Sequence, residues 1–427
     1  MTQLSRLLLA GALFAASAGV AVDGQAPQAR QGQGGRGQQA VALPDGAGKE
    51  IVQAMCTKCH GVNQILGSAG YTAAKWRELV ATMITLPDVQ ADSAAQYLAT
   101  HFPPRPGREP MIVQGPVQVA FKEWLVPTLG QRARDPVETP DGMMWWTGQT
   151  LNIIGRLNPR TGEMKEFSPP AGAHPHSITS DRAGNIWYMG NRNATVGKLN
   201  PATGEMTVYP MPDPAARGPH TPIFDRSGIL WFTIQGGNMV GRLNPANGEI
   251  RLVTLPTPRA SPYGIDINSQ GVPWVAYNGS YKVASIDPVT MAVREYEVPD
   301  QQSRIRRLAI TSDDMVWYVN VSLGRLGRIN PRTGEVKEWP SPSGAASEPY
   351  AIAAVDDIIW YNESSRRPDT LVRFDPKTER FQSWAIPSGV GTLRHMRATA
   401  DGNLLIHQTS TNRIGLVTIN KASASSR

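Results

Sequence analysis

A tryptophan that recurs at nearly constant spacing constrains the fold of this chain more than any other feature. It stands at positions 145, 187, 231, 274, 317 and 360, every 42 to 44 residues, and Leu405 takes the seventh place. Each repeat holds four short apolar strands and a turn such as Asn158-Pro159-Arg160-Thr161-Gly162. Because a four-stranded unit cannot bury both faces alone, such units pack radially around a channel. The repeats therefore predict an all-β, seven-bladed β-propeller.

The two ends of the repeat array complete one another. Residues 117–126 (VQVAFKEWLV) have the pattern of an outer strand without its earlier partners, whereas the last repeat ends near Asn420 without an outer strand. We expect the strand at 117–126 to close the last blade, because this pairing removes two exposed sheet edges. The propeller should then span 115–421, followed by a disordered tail at 422–427.

The pentapeptide Cys56-Thr57-Lys58-Cys59-His60 contains the only two cysteines of the 427 residues. Two thiols at this spacing can form thioether bonds to both vinyl groups of one porphyrin, and the next imidazole can bind its iron. A thioredoxin-type pair would need a βαβ setting, and a structural zinc site would need two more ligands nearby. The motif therefore predicts one covalently attached haem c on Cys56, Cys59 and His60.

The residues before this motif have the pattern of an export signal and a linker. Residues 1–26 combine Arg6 with an apolar run and small residues, as in a signal peptide, and 27–41 form a flexible Gln/Gly/Arg-rich linker. We expect a periplasmic or otherwise exported protein with no membrane span after signal removal. The formal net charge of +7 comes from scattered Lys and Arg, so no nucleic-acid partner is expected.

A small all-α domain is predicted for 42–103. Its helices should cover Ala47 to Met55 and Thr72 to Thr85, and Ser93 should open a last helix. About sixty residues are few for an independent apolar core, so we expect a porphyrin to complete it. Residues 104–114 are Pro-rich and should form the joint to the propeller.

This segment resembles a small cytochrome c, through three landmarks after the CTKCH motif. They are the helical series Trp76/Val80/Met83, the pair Tyr97-Leu98 and the run Phe102-Pro103-Pro104. The resemblance implies that Met83 is the second axial ligand of the haem iron beside His60, with His101 as the rival. It also implies an exported oxidoreductase component that transfers electrons to a redox partner protein.

A ring of side chains is predicted at one mouth of the propeller channel. The first residues of the innermost strands converge there, which selects the residue eleven before each tryptophan, or ten before it in the sixth repeat. These residues are Arg134, His176, His220, Tyr263, Arg306, Tyr350 and Arg394. A cationic ring rich in donors favours an anionic or carbonyl-bearing small molecule.

The repeats resemble the virginiamycin B lyase (streptogramin B lyase) family, through Pro175-His176-Ser177-Ile178 with Gly184-Asn185-Ile186-Trp187, and through Asn412-Arg413-Ile414-Gly415. The family carries a catalytic histidine, a metal-binding glutamate and a substrate histidine where this chain has Arg394, Gln408 and Tyr350. A guanidinium is already protonated and cannot remove an α-proton, so streptogramin-type lyase activity is not expected. A divalent cation in the propeller has no motif to support it.

Glu363 is the only glutamate three residues after a repeat tryptophan or its Leu405 equivalent. It lies near the predicted mouth in sequence, where it could bind a cation or act as a base beside Tyr350. A solvated loop carboxylate is the expected role, because most acidic side chains are exposed.

Two functions follow from these patterns. The first is an exported monohaem electron-transfer protein whose propeller binds a ligand or a redox partner. The alternative is a propeller-centred lyase or ligand-binding module with the haem domain ancillary. The catalytic residues are unknown from sequence.

Overall fold

The structure is a computed structural model that describes residues 42–57, 62, 65, 70–103, 107–389 and 392–420. The predicted signal (1–26), linker (27–41) and tail (422–427), and also Cys59 and His60, lie outside the described residues. The described residues from Leu43 onwards form one compact unit. None of the described helices is long and apolar enough to cross a membrane.

The segment before the propeller is helical where it is described. Its elements are α1 (Lys49–Ile51), a π-helical turn (Val52–Cys56), α2 (Ala73–Ala81) and α3 (Asp88–His101). Trp76, Leu79 and Val80 of α2 pack with Tyr97 and Leu98 of α3 in one apolar core. The side chain of Thr72 caps α2 by accepting the amide of Lys75 at 3.3 Å.

The last helix begins earlier than the sequence predicts. Ser93 lies inside α3, which starts at Asp88 directly after Pro87. Arg77 of α2 bonds Asp88 at 2.6 Å and Asp92 at 2.5 Å, and these bonds attach the first turn of α3 to α2. The prediction that Ser93 opens the helix is therefore wrong.

Seven four-stranded antiparallel sheets follow, as the tryptophan spacing predicts. The strands of blade one are β2 (Ala133–Glu138), β3 (Met144–Gly148), β4 (Ile153–Leu157) and β5 (Met164–Phe167). Those of blade two are β6 (Pro175–Ser180), β7 (Ile186–Gly190), β8 (Thr195–Leu199) and β9 (Met206–Pro210). Those of blade three are β10 (Pro219–Phe224), β11 (Leu230–Ile234), β12 (Met239–Leu243) and β13 (Ile250–Thr254).

The remaining blades repeat this arrangement. The strands of blade four are β14 (Pro262–Ile267), β15 (Pro273–Tyr277), β16 (Lys282–Ile286) and β17 (Val293–Glu297). Those of blade five are β18 (Ile305–Ile310), β19 (Val316–Asn320), β20 (Arg325–Ile329) and β21 (Val336–Pro340). Those of blade six are β22 (Pro349–Val355), β23 (Ile358–Glu363), β24 (Thr370–Asp375) and β25 (Arg380–Ala385). Those of blade seven are β26 (Arg397–Ala398), β27 (Leu404–Gln408), β28 (Arg413–Asn420) and β1 (Gln118–Leu125).

The N-terminal strand closes the ring. β1 pairs antiparallel with β28 along its whole length, from Gln118 opposite Asn420 to Leu125 opposite Arg413. The seventh blade thus takes its outer strand from the start of the propeller and its other three strands from the end. No sheet edge is left open between the first and last repeats.

The repeated tryptophans are buried between blades and hold the turn that precedes them. Trp187 Nε1 donates to Asp181 Oδ2 at 2.9 Å, and Trp231 Nε1 donates to Asp225 Oδ2 at 3.0 Å. The indole of Trp145 makes the equivalent bond to the Thr139 hydroxyl at 3.2 Å. In these blades the tryptophan therefore serves both packing and turn formation.

The stretch between the helical segment and β1 is fastened along blade six. Arg366 Nη1 donates to the Gly107 carbonyl at 2.6 Å, and the Ser383 amide donates to the Val113 carbonyl at 2.9 Å. Met111 donates its amide to Ser343 Oγ at 3.0 Å. We call residues 107–117 the strap.

Candidate ligand site at the channel mouth

Each predicted ring residue lies at or next to the start of an innermost strand. In blades one to six it is the second residue of that strand, and a register shift against the neighbouring strand follows it. Such a bulge turns two successive side chains away from the regular alternation. Arg394 precedes the short strand β26 in blade seven. We call these seven residues the mouth.

The mouth residues contact one another around the channel. Arg134 Nη1 lies 2.6 Å from His176 Nε2, and the ring centroids of His176 and His220 are 3.7 Å apart. The His220 ring lies 4.0 Å from that of Tyr263. The next contacts join Tyr263 to Tyr350, and then Tyr350 to Arg394. The structure therefore brings together side chains that are up to 260 residues apart in the sequence.

Two tyrosine hydroxyls meet on the cationic side of the mouth. The hydroxyls of Tyr263 and Tyr350 hydrogen-bond to each other, and Arg394 Nη1 donates to the Tyr350 oxygen at 2.9 Å. The guanidinium of Arg306 lies over the Tyr350 ring, 4.2 Å from its centroid. Tyr350 is thus surrounded by donors and positive charge.

A second layer lies one residue deeper, and the sequence analysis did not predict it. It consists of the residues that directly follow the mouth residues, namely Asp135, Ser177, Thr221, Gly264, Arg307, Ala351 and His395. Asp135 is fully buried and accepts Arg307 Nη2 at 3.2 Å and the Ser177 hydroxyl, while His395 Nδ1 lies 3.4 Å away. A Cβ at Gly264 would lie 2.8 Å from the Arg307 Cα, so glycine permits this approach.

The guanidinium group of Arg134 in the mouth is buried without enough negative charge nearby to balance it. Burial and the charges of Arg394 and Arg132 lower the pKa of Arg134 to about 9. Burial and Arg394 lower the pKa of Arg132, two residues before the mouth, to about 10. Among the described residues, the Nε atoms of Arg134, Arg306 and Arg394 are buried without a hydrogen-bond partner. Unsatisfied, mutually repelling guanidinium groups are what an anion would neutralise.

The histidines around the mouth are neutral at physiological pH. Burial, with the nearby charges of Arg307 and Arg134, holds the pKa values of His176 and His220 well below the usual range. Burial lowers those of His395 and His407 to about 3. His407 Nε2 accepts the amides of Arg394 at 3.2 Å and His395 at 3.1 Å, so its Nδ1 donates to the Ala133 carbonyl. His407 therefore fixes the backbone that presents Arg394.

Comparison with known proteins decides the kind of propeller. Residues 112–286 match the virginiamycin B lyase family. The propeller is virginiamycin B lyase-like. The matched range covers the strap from Ile112, β1, blades one to three and most of blade four, so Arg306, Tyr350 and Arg394 lie outside it.

Solved structures agree with this family match. A streptogramin B lyase structure aligns with a TM-score of 0.64 and 25% identity, over 71% of this chain and 98% of its own. Virginiamycin B lyase from Staphylococcus aureus aligns with a TM-score of 0.64 and 21% identity, over 70% of this chain and 99% of its own. Hydrazine synthase of Kuenenia stuttgartiensis shares the fold at a TM-score of 0.58 and 13% identity, over 70% of this chain and 98% of its own. No curated protein matches the chain.

Glu363 of the virginiamycin B lyase-like propeller is not solvated. It is fully buried and accepts Ser341 Oγ at 2.7 Å, the Ser343 amide at 2.8 Å and Thr370 Oγ1 at 2.7 Å. The expectation of a solvated loop carboxylate is therefore wrong. Since Ser343 Oγ in turn accepts Met111, Glu363 anchors the strap to blade six.

The predicted haem ligands are partly described. Cys56 ends the π-helical turn and is half-buried, and Met83 follows α2 by two residues. Both side chains pack against the same apolar core of the helical segment. The rival ligand His101 ends α3, with its ring 4.5 Å from that of Tyr97. Within the described ranges, no group of three or more His, Cys, Asp or Glu is arranged to hold a metal ion.

The helical segment meets the propeller beside the mouth. Asn412 Nδ2 donates to the Thr82 carbonyl at 2.8 Å, while its Oδ1 accepts the Arg132 amide at 2.8 Å. The Gly130 amide also donates to the Thr82 carbonyl, at 3.3 Å. Thr82 directly precedes Met83, the predicted iron ligand. The Asn412 side chain therefore links the residue before Met83 to the loop that leads to Arg134.

Proposed function

We propose that the virginiamycin B lyase-like propeller is a ligand-binding module whose mouth binds a small anionic or carbonyl-bearing molecule. The Nε atoms of Arg134, Arg306 and Arg394, which have no hydrogen-bond partner in the part of the chain that the structure describes, support this assignment most directly. Hydrogen bonds to a charged group are each worth about 1.5–3 kcal/mol, so two such donors correspond to dissociation constants from several millimolar down to roughly tens of micromolar. Streptogramin opening is not proposed, because Arg394 and Gln408 replace the family's base and metal ligand.

Calorimetry with pyruvate tests this proposal, because pyruvate carries both a carboxylate and a ketone. We expect binding to the full chain, and weaker binding by about 10- to 100-fold in Arg134→Gln, which removes one charged donor. Arg380→Gln is the matched control, since Arg380 is exposed on the outer strand β25. Uncharged acetone should bind at least 10-fold more weakly. Equal affinity of both arginine variants for pyruvate would place its binding elsewhere.

We also propose that the helical segment carries a covalent haem c and transfers electrons with a redox partner protein after export. The Cys56-Thr57-Lys58-Cys59-His60 motif supports it, as does the packing of Cys56 and Met83 on one apolar core. Trp76 Nε1 is buried without a partner among the described residues, so it can donate to an acceptor on a bound porphyrin. Cys56 and Cys59 would hold the porphyrin, and His60 and Met83 the iron. The group supplies a one-electron couple when bound.

Mass spectrometry of the denatured, exported chain tests this second proposal. Haem should remain bound to the wild type and be lost from a Cys56→Ser/Cys59→Ser double variant. A sulfur-to-iron charge-transfer band should disappear in Met83→Ala and persist in His101→Ala. Absence of the band from the wild type, with bis-imidazole coordination that is lost in His101→Ala, would reverse the ligand assignment. An N-terminal peptide beginning near residue 27 in the same sample would support signal cleavage.

A further inference from the structure

The Tyr350 oxygen has two hydrogen-bond partners in the mouth. Arg394 Nη1 donates to it at 2.9 Å, and the Tyr263 hydroxyl is hydrogen-bonded to it as well. Arg306 lies 4.2 Å from the centre of the same ring. Among the described residues no carboxylate hydrogen-bonds to this oxygen, and Asp135 is already paired with Arg307 at 3.2 Å. An oxygen in this setting is stabilised as an anion.

The charged and titratable groups around Tyr350 come from blades one, four, five and seven. They are Tyr263 on β14, Arg306 and Arg307 on β18, Arg394 before β26, and Arg132 and Arg134 at the start of blade one. Burial raises the pKa of the Tyr350 hydroxyl, but Arg394, Arg306 and the bond from Tyr263 outweigh it and lower the pKa to about 7. Burial and the neighbouring Tyr350 charge raise the pKa of Tyr263 to about 12. Tyr263 therefore keeps its proton, and its hydroxyl donates a hydrogen bond to the Tyr350 oxygen.

The other mouth groups are unsuited to accepting a proton at neutral pH. The guanidinium groups already carry theirs. The rings of His176 and His220 lie 3.7 Å apart, and burial holds the pKa values of both histidines too low to retain an added proton. Asp135 is fully buried in its ion pair one layer deeper. This leaves Tyr350 as the base that can face a ligand held by the mouth arginines.

We propose that Tyr350, as a phenolate, is a general base that removes a proton from the carbon next to the carbonyl of a carboxylate ligand. The inference rests on the proposed ligand site. The C–H electron pair forms a C=C bond, the π pair of the carbonyl moves to its oxygen to give an enolate, and the proton goes to the Tyr350 oxygen. The adjacent guanidinium groups stabilise the enolate. The reverse transfer restores the carbon acid, so the step needs no oxidant or reductant.

The charge state of Tyr350 can be measured without any ligand. In the full chain labelled at tyrosine Cζ with ¹³C, we expect one of the 11 tyrosine signals to titrate near neutral pH. That signal should be absent from Tyr350→Phe and retained in Tyr281→Phe, the control, whose hydroxyl faces Glu297 at the surface of blade four. Titration of every tyrosine above pH 9, or persistence of the early signal in Tyr350→Phe, would overturn the proposal.

Proton exchange measures the catalytic step itself. In D₂O the methyl protons of pyruvate should exchange faster with the full chain present, and the rate should rise with pH through about 7 because the phenolate is the active form. Tyr350→Phe should lose at least 100-fold in exchange rate while calorimetry still detects pyruvate binding. Bound pyruvate that fails to exchange in the wild type contradicts the base and leaves the ligand site intact. Failure to bind pyruvate contradicts the ligand site, and the base with it.

Discussion

At Asp135 a single carboxylate is buried beneath a layer of guanidinium and imidazole groups. Its ion pair with Arg307 and the hydrogen bond from Ser177 stabilise a charge that would otherwise be costly in the interior, and His395 Nδ1 lies 3.4 Å from the same carboxylate oxygen. Arg307 also bonds the Arg394 carbonyl at 2.6 Å. One buried pair thus connects blades one, five and seven beneath the mouth, and positions two residues of the mouth.

Asp135→Asn should destabilise the protein by about 3–5 kcal/mol at pH 7, because it leaves the Arg307 charge uncompensated. Arg307 and His395 hold the pKa of the Asp135 carboxyl well below its unfolded value, although burial opposes them. Its contribution is therefore complete above about pH 4 and is lost as the pH falls towards the folded pKa. Urea unfolding at several pH values should show a shallower loss below pH 4 in the variant. An unchanged free energy of unfolding at pH 7 would contradict the structural role.

Protonation of His407 should begin to destabilise the propeller at a higher pH than protonation of Asp135 does. Its folded pKa, about 3, lies below the unfolded value of about 6.5, so its stabilisation is present above 6.5 and declines as the pH falls. His407→Gln should remove up to about 5 kcal/mol of this pH dependence between 6.5 and 3, since one pKa unit is worth about 1.4 kcal/mol. Thermal unfolding across that range measures it. Parallel curves for wild type and variant would show that another group titrates.

At the level of the blade, the recurring tryptophan contributes both to packing between sheets and to the geometry of a turn. The indole fills the space between adjacent sheets, and its N–H donates a hydrogen bond to the side chain of the residue that opens the first hairpin turn. Blade four departs from this pattern, because Trp274 Nε1 has no hydrogen-bond partner among the described residues. The same substitution in two blades can therefore separate the two contributions.

Trp187→Phe should cost about 1–3 kcal/mol more than Trp274→Phe, because only the first leaves a turn carboxylate, Asp181, without its indole donor. Both substitutions remove similar apolar contacts, so packing losses cancel in the comparison. Chemical denaturation of the two variants gives the difference. Equal losses would assign the recurrence of tryptophan to packing alone.

At the level of the whole molecule, the helical segment and the propeller share a joint at Asn412. This side chain bonds Thr82 on one side and the Arg132 amide on the other. Arg367 adds a weaker contact, with its guanidinium 5.9 Å from the Tyr71 ring. A change in the loop before Arg134 therefore has a direct structural route to the residue before Met83.

Asn412→Ala should loosen the helical segment without unfolding the propeller. It removes two hydrogen bonds at the joint, worth about 1 kcal/mol each. Hydrogen exchange of peptides covering 70–103 should accelerate about 5- to 30-fold, while those of blades two to four stay unchanged. Asn244→Ala, which disrupts only a surface turn of blade three, is the control. If hydrogen exchange of peptides covering 70–103 is as slow in Asn412→Ala as in the control and the wild type, the joint does not stabilise the helical segment.

The propeller could be predicted from sequence because its information is local and repeated. Trp145 and its counterparts fix the register of every blade, and that register leads directly to Arg134 and Tyr350. The second layer was missed because a bulge turns Asp135 and Arg307 inward, whereas regular alternation would place only one of two neighbours there. The start of α3 was missed because Arg77, on another helix, attaches Asp88. The contact of Thr82 with Asn412 joins residues about 330 apart, which no local pattern reveals.

The pairing of β1 with β28 also determines when this protein can fold. The partner of the first propeller strand is made about 300 residues later, so six blades exist before the ring can close. Bringing such distant segments together costs about 5 kcal/mol of chain entropy, which is recovered only when the whole ladder forms. A chain stopped before Arg413 would keep β1 unpaired, with an edge open to other molecules. Closure is therefore a late, all-or-none step, and aggregation of incomplete chains is its expected failure.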